Sequence, residues 1–396
     1  MISISKLWCD EDFPHNNLRY GESRDTDNPW GNIPSAKERK PIIVWNCTKS
    51  CNLKCVHCYS DSTAHHYENE LTTAEGKNLL TQLRDFGVKA VLFSGGEPLM
   101  RSDIFELLGY ASDLGLRTVL STNGTLIDHK LAAQLRALNP SYIGISLDGI
   151  GTINDDFRGV SGAFARASDA FDNCIKEGIK TGLRLTMTKH TIAGLENIFK
   201  FIEEKNIPRV CFYHLVPAGR GQSKHLLSAQ ESRMALDLII EKAEQYAKQG
   251  IKKDILTVDN HVDGVYLYLK MMKKDKKKAT EIKKHLLWNG GGRYSTGIGI
   301  GEIDFYGNVH PDQFWMHYTF GNIRERSFAD IWTDERDDLL RGLRNRLPLL
   351  KGKCSRCAYV EMCGGSLRVR AEIIHGDQWQ EDPACYLSEE EIAQHE

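Results

Sequence analysis

Six short β-branched runs that alternate with longer helical patterns constrain the fold of this chain more than any other feature. They are PIIVWNC at 41–47, AVLFS at 90–94, RTVLS at 117–121, YIGISL at 142–147, GLRLTMT at 182–188 and RVCFYHL at 209–215. Between them, apolar residues recur at helical spacing, as in Leu79, Leu80 and Leu83. Parallel strands joined by right-handed helical crossovers curl into an open barrel with its functional groups at the carboxyl ends of the strands. The alternation predicts an α/β fold with a partial barrel of six βα units.

The remaining segments predict how the chain is organised around this barrel. A polar leader of residues 1–40 precedes the barrel at 41–225, and a helical connection follows at 226–290, with helices at 228–249 and 263–287. The lysine-rich run at 273–278 is typical of a solvated helix face, with binding to an acidic partner as the alternative. From 291 to 396 the chain is Gly-rich, then strand-like and helical, and carries a group of cysteines. This segment predicts a separate C-terminal domain.

Charge and cysteine content exclude several classes of protein. Lys and Arg number 51 and Asp and Glu number 53, so no positive field predicts binding to nucleic acid or to an anionic membrane surface. No apolar stretch approaches the roughly 18 residues of a membrane span, and acidic residues interrupt the start of the chain before a signal peptide forms. Eleven cysteines in 396 residues are too few for a disulfide scaffold. Seven of them lie in two tight groups, Cys47, Cys51, Cys55 and Cys58 near the start and Cys354, Cys357 and Cys363 near the end. We therefore expect a cytoplasmic protein whose grouped cysteines bind metal.

The first cysteine group directly follows the first predicted strand. Cys51, Cys55 and Cys58 have a CxxxCxxC spacing. Three thiolates can hold three irons of a 4Fe-4S cluster and leave the fourth iron open to a small molecule. A zinc ion with Cys47 or His57 as its fourth ligand is the alternative.

The second group lies near the other end of the chain. Cys354, Cys357, Cys363 and Cys385 supply four thiolates. Four thiolates complete the ligand set of a zinc ion or of a 4Fe-4S cluster, and the spacing alone does not decide between them.

A resemblance to a known family starts from the first group. The segment CNLKCVHCY, with Tyr59 after the third cysteine, closely resembles the cysteine loop of the radical S-adenosylmethionine (SAM) enzymes. The resemblance implies that the open iron chelates the amino and carboxylate groups of SAM. One electron then cleaves SAM into methionine and a 5′-deoxyadenosyl radical, which takes hydrogen from the substrate.

Polar residues at the predicted strand ends are candidate contacts to SAM. Gly95, Gly96 and Glu97 in SGGEP resemble the GGEP motif of the same family, although a Gly-Gly pair alone also fits a simple turn. Further candidates are Ser121 and Asn123, Ser146 and Asp148, and Arg158, which suits the SAM carboxylate or is a surface arginine. Arg184 alternates with leucines on the fifth strand, a pattern that fits a side chain pointing into the barrel.

The second cysteine group also fits this family. Together with the preceding FGNI at 320–323 and Ile331-Trp332, it resembles the SPASM/Twitch domain, which implies a second, auxiliary 4Fe-4S cluster. Where many members have a further cysteine, this chain reads Val309-His310-Pro311-Asp312. This departure predicts that a first auxiliary cluster is absent and that the freed space accommodates a larger substrate. His310 and Asp312 are the candidate catalytic residues, with Gln313 beside them.

Nearly the whole chain resembles the radical SAM enzymes of alternative haem biosynthesis. The stretches that carry this resemblance are MISISKLWC at 1–9, TVDNHVDG at 257–264, NVHPDQFW at 308–315, RVRAE at 368–372 and DPACYL at 382–387. The resemblance implies removal of two acetate side chains from the iron tetrapyrrole didecarboxysiroheme to give iron-coproporphyrin III. For this substrate, the candidate carboxylate clamps are Arg293, Arg368 and Arg370, and the candidate ligands of its iron are His261, His310 and Cys9.

Three alternatives remain open at this stage. A haem d1 biosynthesis enzyme would act on the propionates of the same substrate, and a radical SAM peptide maturase would act on a peptide. A non-catalytic zinc or iron-sulfur module would leave the strand-end motifs without a purpose. The sequence has no GxGxxG nucleotide fingerprint, so the expected electron donor is a ferredoxin or flavodoxin.

Overall fold

One sheet of eleven strands organises the computed structural model, which describes residues 1–13, 16–20 and 40–393. The strands are β1 (Ile2–Ser3), β2 (Ile42–Thr48), β3 (Ala90–Gly95), β4 (Arg117–Thr122), β5 (Tyr142–Ser146), β6 (Thr181–Met187), β7 (Arg209–His214), β8 (Asp254–Val258), β9 (Ile300–Ile303), β10 (Asn308–His310) and β11 (Gly321–Asn322). Their order is β1-β8-β7-β6-β5-β4-β3-β2-β9-β10-β11. From β8 to β9 all neighbours are parallel, and β1, β10 and β11 add antiparallel strands at the two edges.

Helices follow each barrel strand and continue through the C-terminal half. They are α1 (Ile4–Cys9), α2 (Asn16–Tyr20), α3 (Thr73–Phe86), α4 (Ile104–Asp113), α5 (His129–Ala137), α6 (Thr152–Arg158), α7 (Ala163–Lys176), α8 (Leu195–Glu204), α9 (Ala229–Lys248), α10 (Val262–Lys274), α11 (Lys276–Asn289), α12 (Phe328–Trp332), α13 (Asp338–Arg344), α14 (Val360–Cys363), α15 (Arg368–His375) and α16 (Glu389–Ile392). Among the described residues, none of the helices is long and apolar enough to cross a membrane.

The six predicted strands correspond to β2–β7, each within about one residue of its predicted bounds, and the predicted α/β fold with six βα units is confirmed. The apolar face of α3 illustrates why the pattern was informative. Leu79, Leu80 and Leu83 are fully buried in the hydrophobic core, and a capping box between Thr72 and Glu75 starts the helix. Because β2–β7 are parallel, the loops after them meet at one edge of the sheet.

Two strands that the sequence analysis did not predict, β1 and β8, extend this sheet at one edge. All five residues of β8 are buried, and β8 pairs with β7 on one side and with β1 on the other. The first residues of the predicted leader therefore belong to the fold, and Ile4, Leu7 and Trp8 of α1 are buried. The part of the leader at 14–15 and 21–39 lies outside the described residues.

The single helix predicted at 263–287 is wrong. Asp275 has an extended backbone and separates α10 from α11, because its side chain accepts a hydrogen bond from the backbone N–H of Lys278 and so caps the second helix. The lysine run at 273–278 thus spans a break instead of one helix face. Two of its members pair with acidic side chains of other helices or loops, Lys274 with Glu244 and Lys278 with Asp10, both at 2.6 Å.

Candidate active site

A cavity opens at the carboxyl ends of the parallel strands and encloses about 1090 Å³ including its mouth. Cys51, Cys55 and Cys58 all line it. The rest of the wall comes mainly from strand ends and the residues that follow them, at 94–96, 121–123, 146, 184, 186 and 213–216, and from Gln313 and Phe314. The cavity therefore lies at the edge of the sheet where the sequence analysis placed the candidate site residues.

The cysteine loop is held in place from two sides. On one side, the backbone N–H groups of Lys54 and Val56 donate to the carbonyl oxygens of Arg158 and Phe157, at 3.0 and 3.1 Å. On the other side, Arg220 donates from Nε to the carbonyl oxygen of Cys55 at 2.9 Å. These bonds fix the backbone that carries the thiols.

The buried thiols are suited to a cationic iron core. Burial raises the pKa of Cys51 to about 12, and the neighbouring Cys55 and Cys58 raise it further. Burial also raises the pKa of Cys55. Thiolates packed together away from water need a compensating positive charge, which an iron core supplies. Within the described residues, no three His, Cys, Asp or Glu side chains lie close enough together to hold a single metal ion.

Gly95 and Gly96 pack directly against the start of this loop. The N–H of Gly96 donates to the carbonyl oxygen of Thr48 at 2.7 Å, and a Cβ at this position would lie 2.1 Å from the carbonyl oxygen of Ser50. Gly95 has a φ of +124°, which disfavours other residues. Both glycines line the cavity, where their backbone is open to a ligand.

Glu97 does not reach the surface of the cavity. Its carboxylate is fully buried and accepts hydrogen bonds from the Thr122 hydroxyl at 2.8 Å and from the backbone N–H groups of Asn123 and Leu99, at 2.7 and 3.1 Å. Burial raises its pKa to about 7, although these donors oppose the shift. Glu97 ties the ends of β3 and β4 together behind the cavity wall.

Four of the other predicted SAM contacts line the cavity, and one does not. Ser121, Asn123, Ser146 and Arg158 face it. Asp148 is fully buried behind them, where it pairs with Arg158 and accepts from the backbone N–H of Thr186 at 2.7 Å. Arg158 also reaches the Cys55 sulfur at 3.7 Å. The ion pair therefore holds a cation against the cysteine loop.

The second cysteine group forms a site away from this cavity. Burial raises the pKa of Cys363 well above its usual value. Cys354, Cys385 and Cys357 each raise it further, because the four thiols lie near one another. Gly364 follows with a φ of +60°, and a Cβ there would lie 2.3 Å from the backbone nitrogen of Arg293. The donor set fits a second cationic core, and none of these four cysteines lines the cavity described above.

His310 and Asp312 are not among the described residues that line the cavity. The Nδ1 of His310 bonds the carbonyl oxygen of Tyr318 at 2.7 Å, and its Nε2 faces Asp304 at 3.5 Å. Asp312 accepts from the hydroxyl of Thr296 at 2.6 Å. The loop reaches the cavity through the next two residues, Gln313 and Phe314.

The prediction that Arg368 and Arg370 bind carboxylates of the substrate is wrong. Both are fully buried and engaged inside the protein. Arg370 pairs with Asp382 at 2.8 Å and donates to the carbonyl oxygens of Leu215 and Asp259. Arg368 donates to backbone carbonyls, including that of Gln378. Their N–H groups stabilise the fold, so they are not available to a substrate.

Two further expectations concern residues that lie elsewhere. Arg293 is half-buried beside the ring of Tyr294, 5.2 Å from its centre, and does not line the cavity. His261 and Cys9, which were expected to approach a substrate iron, are also absent from the described lining.

The wall contains residues that the sequence did not single out. Tyr213 and His214 at the end of β7, and Asp259 after β8, line the cavity together with Arg184. The Nε2 of His214 donates a hydrogen bond to the buried carboxylate of Asp263 at 2.9 Å. Their position at the strand ends could have marked them as candidates, but the sequence does not reveal which side chains there point into the cavity.

Comparison with known proteins places these features in context. The profile of the Radical SAM superfamily matches residues 45–202, and that of the SPASM iron-sulfur cluster-binding domain matches residues 300–358. Fe-coproporphyrin III synthase of Methanosarcina barkeri is 50% identical over all of both chains. Pre-heme d1 synthase of Dinoroseobacter shibae is 40% identical over 88% of this chain and 87% of its own.

A solved structure shares the fold. Streptococcus suis SuiB bound to its precursor peptide SuiA matches with a TM-score of 0.70 at 22% identity, over 88% of this chain and 77% of that one. At this identity the likeness concerns the fold alone.

Proposed function

The chain belongs to the radical SAM superfamily, and we propose that it removes two acetate side chains from didecarboxysiroheme to give iron-coproporphyrin III. The observation that carries the proposal is the 50% identity, over the full length of both chains, to Fe-coproporphyrin III synthase. The cavity supports it, because it combines three cysteines with a wall that suits a large anionic ligand.

Cys51, Cys55 and Cys58 would hold a 4Fe-4S cluster that binds SAM, and Cys354, Cys357, Cys363 and Cys385 would hold an auxiliary 4Fe-4S cluster. When bound, the first cluster and SAM supply one-electron chemistry that generates a hydrogen-abstracting radical. The protein positions SAM and excludes water. The backbone of Gly95 and Gly96 and the side chains of Ser121, Asn123, Ser146 and Arg158 are placed to bind the polar groups of SAM.

The cavity wall also suits a tetrapyrrole. Val44, Leu92, Leu215, Val216 and Phe314 offer apolar surface to a macrocycle. Arg158 and Arg184 offer cations to its carboxylates. A flat, apolar and polyanionic substrate matches this combination.

A second candidate is a reaction on the propionates of the same substrate, as in haem d1 biosynthesis. The observation that favours it is the 40% identity to pre-heme d1 synthase, which is below the 50% of the first relative. A peptide maturase is less well supported, because the likeness to SuiB is one of fold.

The proposal extends to the surroundings of the enzyme. We assign the electron supply to an external ferredoxin or flavodoxin, and we place the reaction in the cytosol, where its eleven unpaired cysteines stay reduced. We also propose that residues 41–225 act as the barrel and 291–396 as the cluster domain, joined by the helical segment 226–290.

The test is anaerobic incubation with didecarboxysiroheme, SAM and a strong reductant, followed by mass spectrometry of the tetrapyrrole and quantification of 5′-deoxyadenosine. We expect loss of both acetates with 5′-deoxyadenosine formed, and neither product from a Cys55→Ser variant. Altered propionates with intact acetates would establish the second candidate instead. Formation of 5′-deoxyadenosine with an untouched macrocycle would overturn the proposed substrate.

A further inference from the structure

Arg184 is a cation in the cavity wall, and its hydrogen-bond partners among the described residues are neutral. It lies on β6, opposite Ser146 of β5 and Cys211 of β7 in the register of the sheet. Its Nε donates to the phenol oxygen of Tyr213 at 2.8 Å, its Nη2 donates to the same oxygen, and its Nη1 donates to the hydroxyl of Ser121. Three strands, β4, β6 and β7, therefore fix the position of the guanidinium.

The ring of Tyr213 holds the guanidinium in a second way. The central carbon of the guanidinium lies 4.8 Å from the centre of this ring. Hydrogen bonds and ring contact together restrict the side chain to one orientation, so little conformational entropy is lost when a ligand binds.

No carboxylate in the described residues forms an ion pair with Arg184. The other arginine of the cavity wall, Arg158, differs in this respect because it forms an ion pair with the buried Asp148. Asp259 also lines the cavity, but its charge acts on Arg184 only over a longer distance. A guanidinium that is partly removed from water without an anionic partner is costly, and an anionic ligand offsets that cost.

The free hydrogen-bonding groups of Arg184 match a carboxylate. A guanidinium has five N–H groups, and three of those of Arg184 are used by Tyr213 and Ser121. One N–H therefore remains on each terminal nitrogen. Two neighbouring N–H groups of this kind bind both oxygens of one carboxylate.

We propose that Arg184, anchored by Tyr213, binds a side-chain carboxylate of the tetrapyrrole and so sets the orientation of the macrocycle in the cavity. This inference rests on the proposed function for the substrate class. SAM also has a carboxylate, but Arg158 is the better placed partner for it, because Arg158 contacts Cys55 of the cysteine loop. The described hydrogen bonds of Arg184 go to Tyr213 and Ser121, and none goes to that loop.

The test uses the cluster-containing enzyme and binding of iron-coproporphyrin III, measured by anaerobic absorbance titration. The probe is compared with its tetramethyl ester, whose carboxylates are neutralised. Arg184→Gln is expected to weaken binding of the free acid about 10- to 100-fold and to leave binding of the ester unchanged. Arg184→Lys keeps the charge without the two-pronged geometry, so an intermediate loss is expected.

Two further variants keep the proposal falsifiable if Arg184→Gln folds poorly. Tyr213→Phe retains the cation and removes its anchor, so a smaller loss for the free acid is expected. Arg117→Gln, at the exposed opposite end of β4, is the matched control and is expected to bind both probes as the parent enzyme does. Iron content is measured for every variant.

The outcomes separate the two proposals. If the parent enzyme binds neither probe and does not alter didecarboxysiroheme, the proposed function fails. If the parent enzyme binds the acid while Arg184→Gln and Tyr213→Phe bind it equally well, the role of Arg184 is overturned and the function stands. If Arg184→Gln instead loses only the change that SAM causes in the electron paramagnetic resonance spectrum of the cluster, its partner is SAM and the inference is overturned.

Discussion

The Nε2 of His214, in the cavity wall, lies 2.9 Å from the Oδ2 of Asp263, whose Oδ1 accepts a hydrogen bond from the hydroxyl of Tyr386 at 2.7 Å. Tyr386 directly follows Cys385 of the second cysteine group. A single fully buried carboxylate thus connects the wall of the first site to the chain that carries the second. Burial alone would raise the pKa of Asp263, but His214 and the hydroxyl donors hold it below its usual value.

Asp263→Asn is expected to weaken both ends of this connection. An amide has one acceptor oxygen, so it cannot accept from His214 and Tyr386 as the carboxylate does. We expect a loss of about 1–3 kcal/mol in stability and partial loss of iron from the second cysteine group. Denaturant unfolding and iron content measure these effects. Asp237→Asn, which changes a half-exposed carboxylate on α9, is the control, and equal losses in the two variants would contradict the prediction.

Arg220 offers a test of how the first cysteine loop is held. Its Nε bonds the carbonyl of Cys55 and its Nη1 bonds the carbonyl of Ser62, both at 2.9 Å. Arg220→Ala is expected to lower the iron content from about eight towards about four per chain, because the loop of the first cluster loosens while the second site is untouched. Arg341→Ala removes a surface ion pair with Asp338 and should keep all the iron. Retention of full iron and of the SAM-induced spectral change by Arg220→Ala would rule out this role.

Sequence patterns predicted the parts of the molecule that depend on local order along the chain. The strands β2–β7 were recognisable because parallel strands covered on both faces are continuous apolar runs. Because both faces of such a strand are apolar, the sequence does not show which of its side chains point into the barrel. Tyr213 and His214 lie in a run that was correctly placed, but alternation does not separate the two faces of a strand that is buried on both.

Other features depend on partners far apart in the chain. Arg370 bonds the carbonyl of Leu215, 155 residues away, and no spacing rule predicts such a pairing. β8 was missed for a related reason. Its five residues gain their burial from pairing with β7 and β1, whereas the segment itself is a short run between two longer helical patterns.

The contact between Gly96 and Ser50 leads to a prediction about backbone packing. A Cβ on Gly96 would lie 2.1 Å from the carbonyl oxygen of Ser50, so the two segments must separate. Gly96→Ala is expected to abolish the SAM-induced spectral change and to lower the unfolding midpoint markedly, since backbone atoms cannot yield as a flexible side chain does. At Gly194 an added Cβ meets nothing within 4 Å and the backbone has no positive φ, so Gly194→Ala is the matched control. Normal SAM binding by Gly96→Ala would show that the segments can move apart.

The buried carboxyl of Glu97 predicts a pH dependence of stability. Its pKa is raised to about 7 in the folded protein from 4.5. Between these values the unfolded chain has released the proton and the folded chain still binds it, so stability falls as pH rises. The stabilising contribution is complete below about pH 4.5 and is lost as pH rises through about 7. From pH 5.5 to 8 the expected loss is about 2 kcal/mol.

Glu97→Gln isolates this effect, because glutamine keeps an acceptor oxygen and does not titrate. The difference in unfolding free energy between the Gln variant and the parent protein should shift in favour of the variant by about 2 kcal/mol from pH 5.5 to 8. Both proteins are unfolded anaerobically in denaturant with their clusters present, so that changes at the clusters affect both alike. Glu241→Gln, on the exposed face of α9, is the control, and its unfolding free energy should change with pH as that of the parent protein does. If the unfolding free energy of Glu97→Gln also follows that of the parent protein, the carboxyl of Glu97 is ionised throughout this pH range. The hydrogen bonds from Thr122, Asn123 and Leu99 would then outweigh the effect of burial on its pKa.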